Sequence, residues 1–353
     1  MADPVTAKPQ GALRDLRVGE DLRPGELPED AVDFLRLLGG PTLLRLPGRD
    51  RSRCRVASTL LHGNEPSGLR AMLRYLREEH LPAVDALLFV GAVGTALARP
   101  VFGHRALPGE RDFNRCWRPP WEGELGALSR EVLARIHAAS PECLVDLHNN
   151  TGHNPVYGVS FKVGHAELSL VSLFGERIVH TPIELGTLVE ATVDAFPSVT
   201  VECGRAGDPA ADQAAYRGLC HYLDWDVIDF EKPRGPVTLF EAPVRVEVRA
   251  GVELAFGDRM QPEAQVTISN DIDRHNFENL APGTAFGWIR EGLHWPFEAR
   301  TPQGEDRSRE LLAVEDGVLR ARRSFVPIMM TTDRRIALSD CLFYAVQPAR
   351  SGW

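Results

Sequence analysis

The sequence predicts an α/β fold followed by a smaller β-rich domain, and three observations support that prediction. Continuous apolar runs such as RVASTLL and DALLFVGAV are typical of strands that are covered on both faces. Segments with helical periodicity separate these runs, which favours a layered structure with a largely parallel sheet. After about residue 232, alternation of apolar and charged residues replaces helical periodicity, as in VRVEVRAGVELAFG.

Each region predicts its own elements. Residues 1–50 are rich in Pro, Gly and charge, and we expect an irregular N-terminal arm with one short helix near EDAVDFLRLLG. Residues 51–232 are expected to form the α/β domain, with further strands at ECLVDLH, GVSFKVG and SVTVECG. Its helices are predicted around Leu69, Met72, Leu73 and Leu76, at ELGALSREVLARIHAA and at ADQAAYRGLCHYL. Residues 233–353 are expected to form the β-rich domain, with a hairpin around Glu315, Asp316 and Gly317.

The bulk composition limits the classes of partner. The chain has 353 residues, 43% hydrophobic and 25% charged, which indicates a soluble globular protein. A formal charge of −9 argues against nucleic acid and anionic membranes, which are bound mainly by a surplus of Lys and Arg. A small anionic substrate held by a few arginines remains compatible with this charge. The sequence leaves open whether the chain forms a homo-oligomer.

Cysteine spacing and apolar run lengths predict the compartment. The six cysteines form no CxxC pair, which fits ordinary thiols in a reducing compartment. MADPVTAKPQ has no apolar signal core, and ALLFVGAVGTALA is too short to span a bilayer. We therefore expect a cytoplasmic protein.

Polar residues that can bind a metal follow several predicted strands. His62 and Glu65 lie in LLHGNEPSG, His148 ends LVDLH, and Glu202 ends VTVE. In open α/β sheets the carboxyl ends of the strands border the ligand crevice, so these side chains are expected to face one space. Catalytic zinc takes three protein ligands and keeps one position open. Two histidines and one glutamate meet that requirement, and Glu202 would remain to take a proton from a water that the metal activates.

Each of these residues also has a purely structural interpretation. Asn64 or Ser67 could cap a helix, with His62 incidental to it. His148 could be a hydrogen-bonded core histidine, and Glu202 could form a buried salt bridge. Arg111 and Arg115, in RDFNR, could be surface charges of little energetic value. The functional interpretation depends on all of these stretches occurring together in one chain.

The motifs HGNEPSG, RDFNR, DLHNN and VECG, in that order, resemble the zinc carboxypeptidase-like hydrolases, and within them the succinylglutamate desuccinylase/aspartoacylase family. The resemblance covers about residues 54–210, and NFENLAPGTAFGWI is similar to that family's second domain. It implies a three-layer catalytic domain with a mixed, largely parallel sheet, and one zinc per chain. The implied substrate is a small anionic N-acyl amino acid, resembling N-succinyl-glutamate or N-acetyl-aspartate.

The resemblance also implies a role for each matching residue. His62, Glu65 and His148 would be the zinc ligands, and Glu202 the general base and acid. Asn114 and Arg115 would bind the substrate carboxylate, and Asp112 would support the first histidine. Arg105 would polarise the scissile carbonyl, with Arg111 as the rival.

The sequence departs from the family pattern at two places. VEATVDAFPS lacks the arginine that the family carries upstream of the catalytic glutamate, and no late tyrosine or lysine can be matched. The expected activity is a zinc-dependent amidohydrolase. The alternatives are a carboxypeptidase acting on short peptides, a non-catalytic binding protein with the same fold, and a cysteine hydrolase using Cys203. VECGRAG lacks the nucleophile elbow that the last alternative requires.

Overall fold

The computed structural model describes residues 12–301, 303–339 and 341–349. The chain divides into two compact units. The first takes in the chain up to Asn149, together with Val156–Ile178 and Glu184–Val237. The second comprises Asn150–Pro155, Val179–Ile183 and the chain from Thr238 onward. The domain limits predicted at residues 51 and 233 stay predictions.

An α/β architecture fills the first part of the chain, as the sequence predicts. The strands up to residue 205 are β1 (Arg14–Arg17), β2 (Thr42–Leu46), β3 (Asp50–Thr59), β4 (Val84–Val90), β5 (Cys143–Asn150), β6 (Tyr157–Ser160), β7 (Arg177–His180) and β8 (Ser198–Arg205). The helices are α1 (Ala31–Leu38), α2 (Ser67–Arg77), α3 (Val93–Leu97), α4 (Gly123–Ala138), α5 (His165–Val171), α6 (Leu188–Thr192) and α7 (Pro209–Asp224), with short 3-10 turns at Pro24–Glu26 and Phe113–Arg115.

The sheet is mixed, with the order β1-β2-β4-β3-β5-β8-β6. β3 runs parallel to both β4 and β5, whereas β2 pairs antiparallel with β4 and β6 pairs antiparallel with β8. Side chains alternate between the two faces of a strand. On one face Val56 and Leu144 pack with Val132 and Ile136 of α4. On the other, α2 lies so close that a Cβ at Gly68 would meet Leu147. Helices therefore cover both faces.

The prediction of an irregular N-terminal arm is wrong for residues 12–50, because this region contributes two strands to the sheet. Within residues 12–50, β1 and β2 join the sheet, and α1 is the only helix that the sequence indicated there. β1 reads RDLR and lies at the sheet edge, mostly exposed, so it carries no apolar run by which it could be recognised. GVSFKVG is also shorter as a strand than predicted, since β6 ends at Ser160.

The second unit is β-rich, as predicted. Its strands are β9 (Thr238–Val248), β10 (Leu254–Phe256), β11 (Val266–Ile268), β12 (Ala285–Ile289), β13 (Phe297–Arg300), β14 (Leu312–Glu315), β15 (Val318–Ala321), β16 (Val326–Ile328) and β17 (Phe343–Pro348). Short helical segments are Ile272–His275, α8 (Ser308–Leu311) and α9 (Arg334–Ser339). β14 and β15 form the predicted hairpin, with positive φ at Asp316 and Gly317 as a tight hairpin turn requires. No helix among the described residues is long and apolar enough to cross a membrane.

A buried arginine on β3 joins that strand to Glu142, just before β5, and to the end of α7; Glu142 is mostly buried and also pairs with Arg53. Arg55 is fully buried, and its guanidinium donates to Glu142 and, at 2.7 Å each, to the carbonyls of Tyr222 and Trp225. Removing one member of a buried pair leaves the other charge uncompensated, which is far more costly than losing an exposed pair.

Glu142→Gln should therefore lower the free energy of unfolding by about 3 kcal/mol, measured by urea denaturation. The matched control is Glu131→Gln, which removes the exposed i,i+4 pair with Arg135 and should cost less than about 0.5 kcal/mol. Equal stabilities for the two variants would contradict a structural role for the Arg55 ion pair.

Candidate active site

A strained turn at the end of β3 places the first pair of polar side chains. β3 ends at Thr59, and buried Leu60 adopts a φ of 58°, a conformation that is unfavourable for a branched residue. The turn then packs tightly, because a Cβ at Gly63 would lie 2.7 Å from Thr95 Cγ2 and 2.8 Å from His104 O. The backbone is thereby held in place, and His62 and Glu65 both point into the interior.

Neighbouring parallel strands bring the second histidine to the same place. β3 and β5 are paired with Thr59 opposite Leu147, so the turn after Thr59 lies beside His148. His62, Glu65 and His148 are all buried, and each offers one ligand atom within 4.8 Å of the others.

The carboxylate of Glu65 lies between the two imidazoles. Its Oε1 is 2.9 Å from His62 Nδ1, and its Oε2 is 2.7 Å from His148 Nδ1. Both Nδ1 atoms therefore face the same carboxylate, and both Nε2 atoms face outward from the trio.

A further carboxylate stands behind each histidine. Asp112 Oδ1 lies 3.0 Å from His62 Nε2, where the sequence placed a supporting acid. Asp146 Oδ2 lies 2.7 Å from His148 Nε2, and Ser58 donates its hydroxyl to the other oxygen of Asp146. A carboxylate on the far ring nitrogen fixes the tautomer and orients the ring.

The buried charges shift one another's pKa values. Burial opposes ionisation of Glu65, but His62 and His148 hold the pKa of its carboxyl well below the usual range. Burial also opposes ionisation of Asp112, and the hydrogen bond and charge of His62 lower its pKa strongly. Against the effect of burial, the carboxylates of Asp146 and Glu65 raise the pKa of His148 well above its ordinary value. The trio therefore holds opposite charges in close contact.

Glu202 is the carboxylate that the trio leaves unpaired. It lies on β8, next to β5 in the sheet, and its Oε2 is buried with no hydrogen-bond partner among the described residues. The predicted alternative of a buried salt bridge is therefore not what holds this oxygen. Burial, and then the nearby Glu65 carboxylate, raise the pKa of Glu202 to about 8. Such a group can both hold and release a proton near neutral pH.

The two arginines that could polarise the carbonyl, Arg105 and Arg111, make different contacts in the structure. Arg105 donates from Nε to Asp112 at 2.9 Å, and its Nη1 lies 3.6 Å from Glu65 Oε1. Arg111 is exposed and instead contacts the carbonyl of Arg115 and, at 4.0 Å, Glu122. Only Arg105 of these two reaches the trio in the described contacts.

The two residues of the NR dipeptide, Asn114 and Arg115, lie in different environments. Asn114 is buried, its Oδ1 accepts from the backbone N–H of Leu188, and its Nδ2 lies 3.4 Å from His148 Nε2. Its amide is thus engaged within the protein in this structure. Arg115 is half-buried, donates from Nη1 to the Asn114 carbonyl at 2.8 Å, and has no carboxylate within ion-pair distance in the described parts of the chain. Of the pair, Arg115 is the better placed to meet an anion.

Sequence analysis missed two residues that build the site. Asp146 could have been found, since it lies two residues before His148 and period two puts both on one face of β5. Asn149 gave no such signal. Its Oδ1 accepts from the N–H of Ser67 and its Nδ2 donates to the carbonyl of Gly204, so it joins the start of α2 to the end of β8. The helix start is thus capped from β5, and neither Asn64 nor Ser67 caps it.

The donor set fits a divalent metal ion such as zinc. Two imidazole nitrogens and one carboxylate lie close together, and all three side chains are buried. Each histidine also has a carboxylate on its far ring nitrogen, as zinc-ligating histidines commonly have. Glu202 lies close enough to the trio for the charges of Glu65 and His148 to shift its pKa.

Comparison with solved structures establishes the fold. The chain is similar to the succinylglutamate desuccinylase from Chromobacterium violaceum, with 16% identity, a TM-score of 0.52, and coverage of 88% of this chain and 89% of that one. It is similar to a succinylglutamate desuccinylase/aspartoacylase from Rhodobacter sphaeroides, at 15% identity, TM-score 0.56 and coverage of 87% and 89%. Murine aminoacylase 3 matches at 17% identity and TM-score 0.51, over 86% of this chain and 98% of that chain.

No protein-family profile and no curated protein sequence matches the chain. The α/β architecture with a β-rich C-terminal part is therefore that of succinylglutamate desuccinylase/aspartoacylase structures, as the motifs indicated, while identities of this size establish the fold alone.

Gly63→Ala should destabilise the protein by about 1–3 kcal/mol in urea, because the added methyl group overlaps three atoms of the chain packed against the turn. Gly94→Ala is the matched control. It lies in nearby α3 with open space around its Cα, so its stability should be unchanged or slightly higher. A Gly63→Ala protein as stable as wild type would show that the turn is not tightly constrained.

Proposed function

We propose that the chain is a zinc-dependent hydrolase of the succinylglutamate desuccinylase/aspartoacylase family, which cleaves the amide bond of a small N-acyl amino acid. The observation that carries the proposal is the buried trio of His62, Glu65 and His148 beside the unpartnered carboxylate of Glu202. A protein that only binds a ligand would not need this additional carboxylate beside the trio. A cytoplasmic location remains a prediction.

The trio is the proposed place for one zinc ion. Zinc bound there would supply a Lewis acid that polarises a carbonyl and makes a water more acidic. Asp112 and Asp146 would keep both histidines in the orientation that presents Nδ1 to the metal.

Glu202 is proposed to move the protons of the reaction. Its carboxylate would accept a proton from the water that attacks the amide carbon and deliver that proton to the leaving nitrogen. Arg105 is proposed to stabilise the negative charge that develops on the carbonyl oxygen, because its guanidinium already reaches Glu65 and Asp112.

Arg115 is proposed to bind the carboxylate of the substrate. A guanidinium matches a carboxylate in a two-pronged hydrogen-bonded pair, and Arg115 has no acidic partner among the described residues. Asn114 is proposed to support this clamp, since its carbonyl oxygen accepts the Nη1 hydrogen bond of Arg115. The cysteine hydrolase alternative is disfavoured, because Cys203 is buried and burial raises the pKa of its thiol strongly.

A substrate panel separates deacylation from peptide trimming. N-succinyl-glutamate, N-acetyl-aspartate and other acyl amino acids are assayed against short peptides with the same C-terminal residues. Faster turnover of the acyl amino acids supports the proposal. Faster turnover of the peptides would make the protein a carboxypeptidase, and no turnover of either with zinc bound would favour a binding protein.

His148→Ala should hold about one zinc ion per chain fewer than the wild-type protein after dialysis, as measured by metal analysis, because it loses a ligand of the trio. His153→Ala is the matched control, since His153 is exposed and belongs to the second unit. Undiminished zinc in the trio of His148→Ala would remove that residue from the site.

Glu202→Gln should keep the fold and the zinc but lower kcat by about 10²–10⁴-fold, because glutamine has nearly the same shape and no basicity. Melting temperature, zinc content and kcat are measured on one preparation. Glu167→Gln is the control, a buried glutamate that accepts from the N–H of Gly164 at the start of α5. A stable, zinc-loaded Glu202→Gln enzyme with wild-type kcat would exclude the proposed role.

A further inference from the structure

A second group of metal-ligating side chains lies at the far ends of the two helices that begin near the active site. We call it the helix-end cluster, and it consists of His80, Cys220 and Asp224, whose ligand atoms lie within 4.8 Å of one another. Cys220 and Asp224 are one turn apart in the last turns of α7, and His80 lies three residues beyond the end of α2. All three side chains are half-buried.

The imidazole of His80 is held between two carboxylates. Its ring stacks on Tyr75 with 4.6 Å between centroids, its Nδ1 lies 3.0 Å from Asp224 Oδ2, and its Nε2 lies 3.3 Å from Glu78 Oε2. A neutral imidazole carries one N–H, so it satisfies one carboxylate only. The hydroxyl of Tyr216, 3.2 Å from Nε2, already donates to Glu78. The hydroxyl of Tyr75 donates to the other oxygen of Asp224. A neutral imidazole between two carboxylates leaves one nitrogen able to offer its lone pair to a metal ion.

Negative groups around the cluster are partly neutralised by two arginines. Glu78 is the C-cap of α2 and Asp224 is the last residue of α7, so two helix C-termini and two carboxylates meet at the cluster. Helix C-termini carry partial negative charge. Arg74 donates to Glu78 Oε1 at 2.8 Å, and Arg49 donates to the backbone carbonyl of Asp224 at 3.1 Å.

We propose that His80, Cys220 and Asp224 bind a divalent transition-metal ion, of which zinc is the best match, with Glu78 beside it as a further carboxylate. One imidazole, one thiolate and one carboxylate are a donor set typical of zinc. The ion would join the ends of α2 and α7, whose starts are already joined by Asp212, which accepts hydrogen bonds from Ser67 and Arg70. The site is structural, distinct from the catalytic trio, and independent of the reaction proposed above.

Cobalt substitution tests this site separately from the trio, because the cluster contains a thiol and the trio does not. The full-length apoprotein is titrated with Co²⁺ in the presence of a phosphine reductant. Wild type should bind about two ions per chain and show a near-ultraviolet thiolate-to-cobalt charge-transfer band. The band should persist in His148→Ala, vanish in Cys220→Ser, and persist in the control Cys54→Ser, another half-buried thiol.

Asp224→Asn serves as a second variant if Cys220→Ser does not fold, as judged by circular dichroism. It keeps the thiol and the side-chain volume, and it should weaken cobalt binding at the cluster about ten-fold or more, with a lower melting temperature for the metal-loaded protein only. The proposal would be overturned if the charge-transfer band never appeared or if it survived in Cys220→Ser. It would also be overturned if Asp224→Asn bound cobalt as tightly as wild type, or if the band formed only with a large excess of cobalt. In the last case the cluster would be a hydrogen-bonded contact between the ends of α2 and α7 that binds no metal.

Discussion

The carboxylate of Glu65 is the constraint on which the rest of the site depends. A buried, ionised carboxyl group is costly unless opposite charges and hydrogen bonds compensate it. Here two imidazoles, from the turn after β3 and from the end of β5, approach its two oxygens, and the backbone N–H of Asn149 adds a third contact at 3.2 Å. The strand ends are therefore held together by the same charge that would bind a cation. Geometry that stabilises the protein without metal also preforms the donor set.

The outer carboxylates extend this arrangement into a continuous chain of hydrogen bonds. It runs from Ser58 through Asp146 and His148 to Glu65, and from there through His62 and Asp112 to Arg105. Each member fixes the orientation of the next, so no side chain of the trio can rotate alone. Glu202 is not part of this series of hydrogen bonds, and its Oε2 has no partner among the described residues, which is the basis for the proposal that it transfers protons.

Sequence alone predicted those parts of the fold and site that have a local signal. Apolar runs identified β3, β4, β5 and β8. Polar residues just after β3 and near the end of β5 predicted that His62, Glu65 and His148 lie together, because the ends of neighbouring parallel strands meet at one edge of a sheet. β1 was missed because an exposed edge strand needs no apolar run. Asn149 was missed because its role depends on three segments that are distant in sequence. The different contacts of Arg105 and Arg111 also depend on the path of the loop, which no spacing rule supplies.

This distribution of signals explains how a shared fold coexists with 12–17% identity to the solved structures. A core tolerates extensive exchange of apolar residues when volume and pattern are kept, so most positions of the sheet and its helices are free to vary. Positions such as Gly63, where a Cβ would overlap neighbouring backbone, and Glu65, where a charge is buried, have no such freedom. The short motifs can therefore be recognised in the sequence although the rest of the chain cannot. They lie at positions where packing and electrostatics allow the fewest different residues.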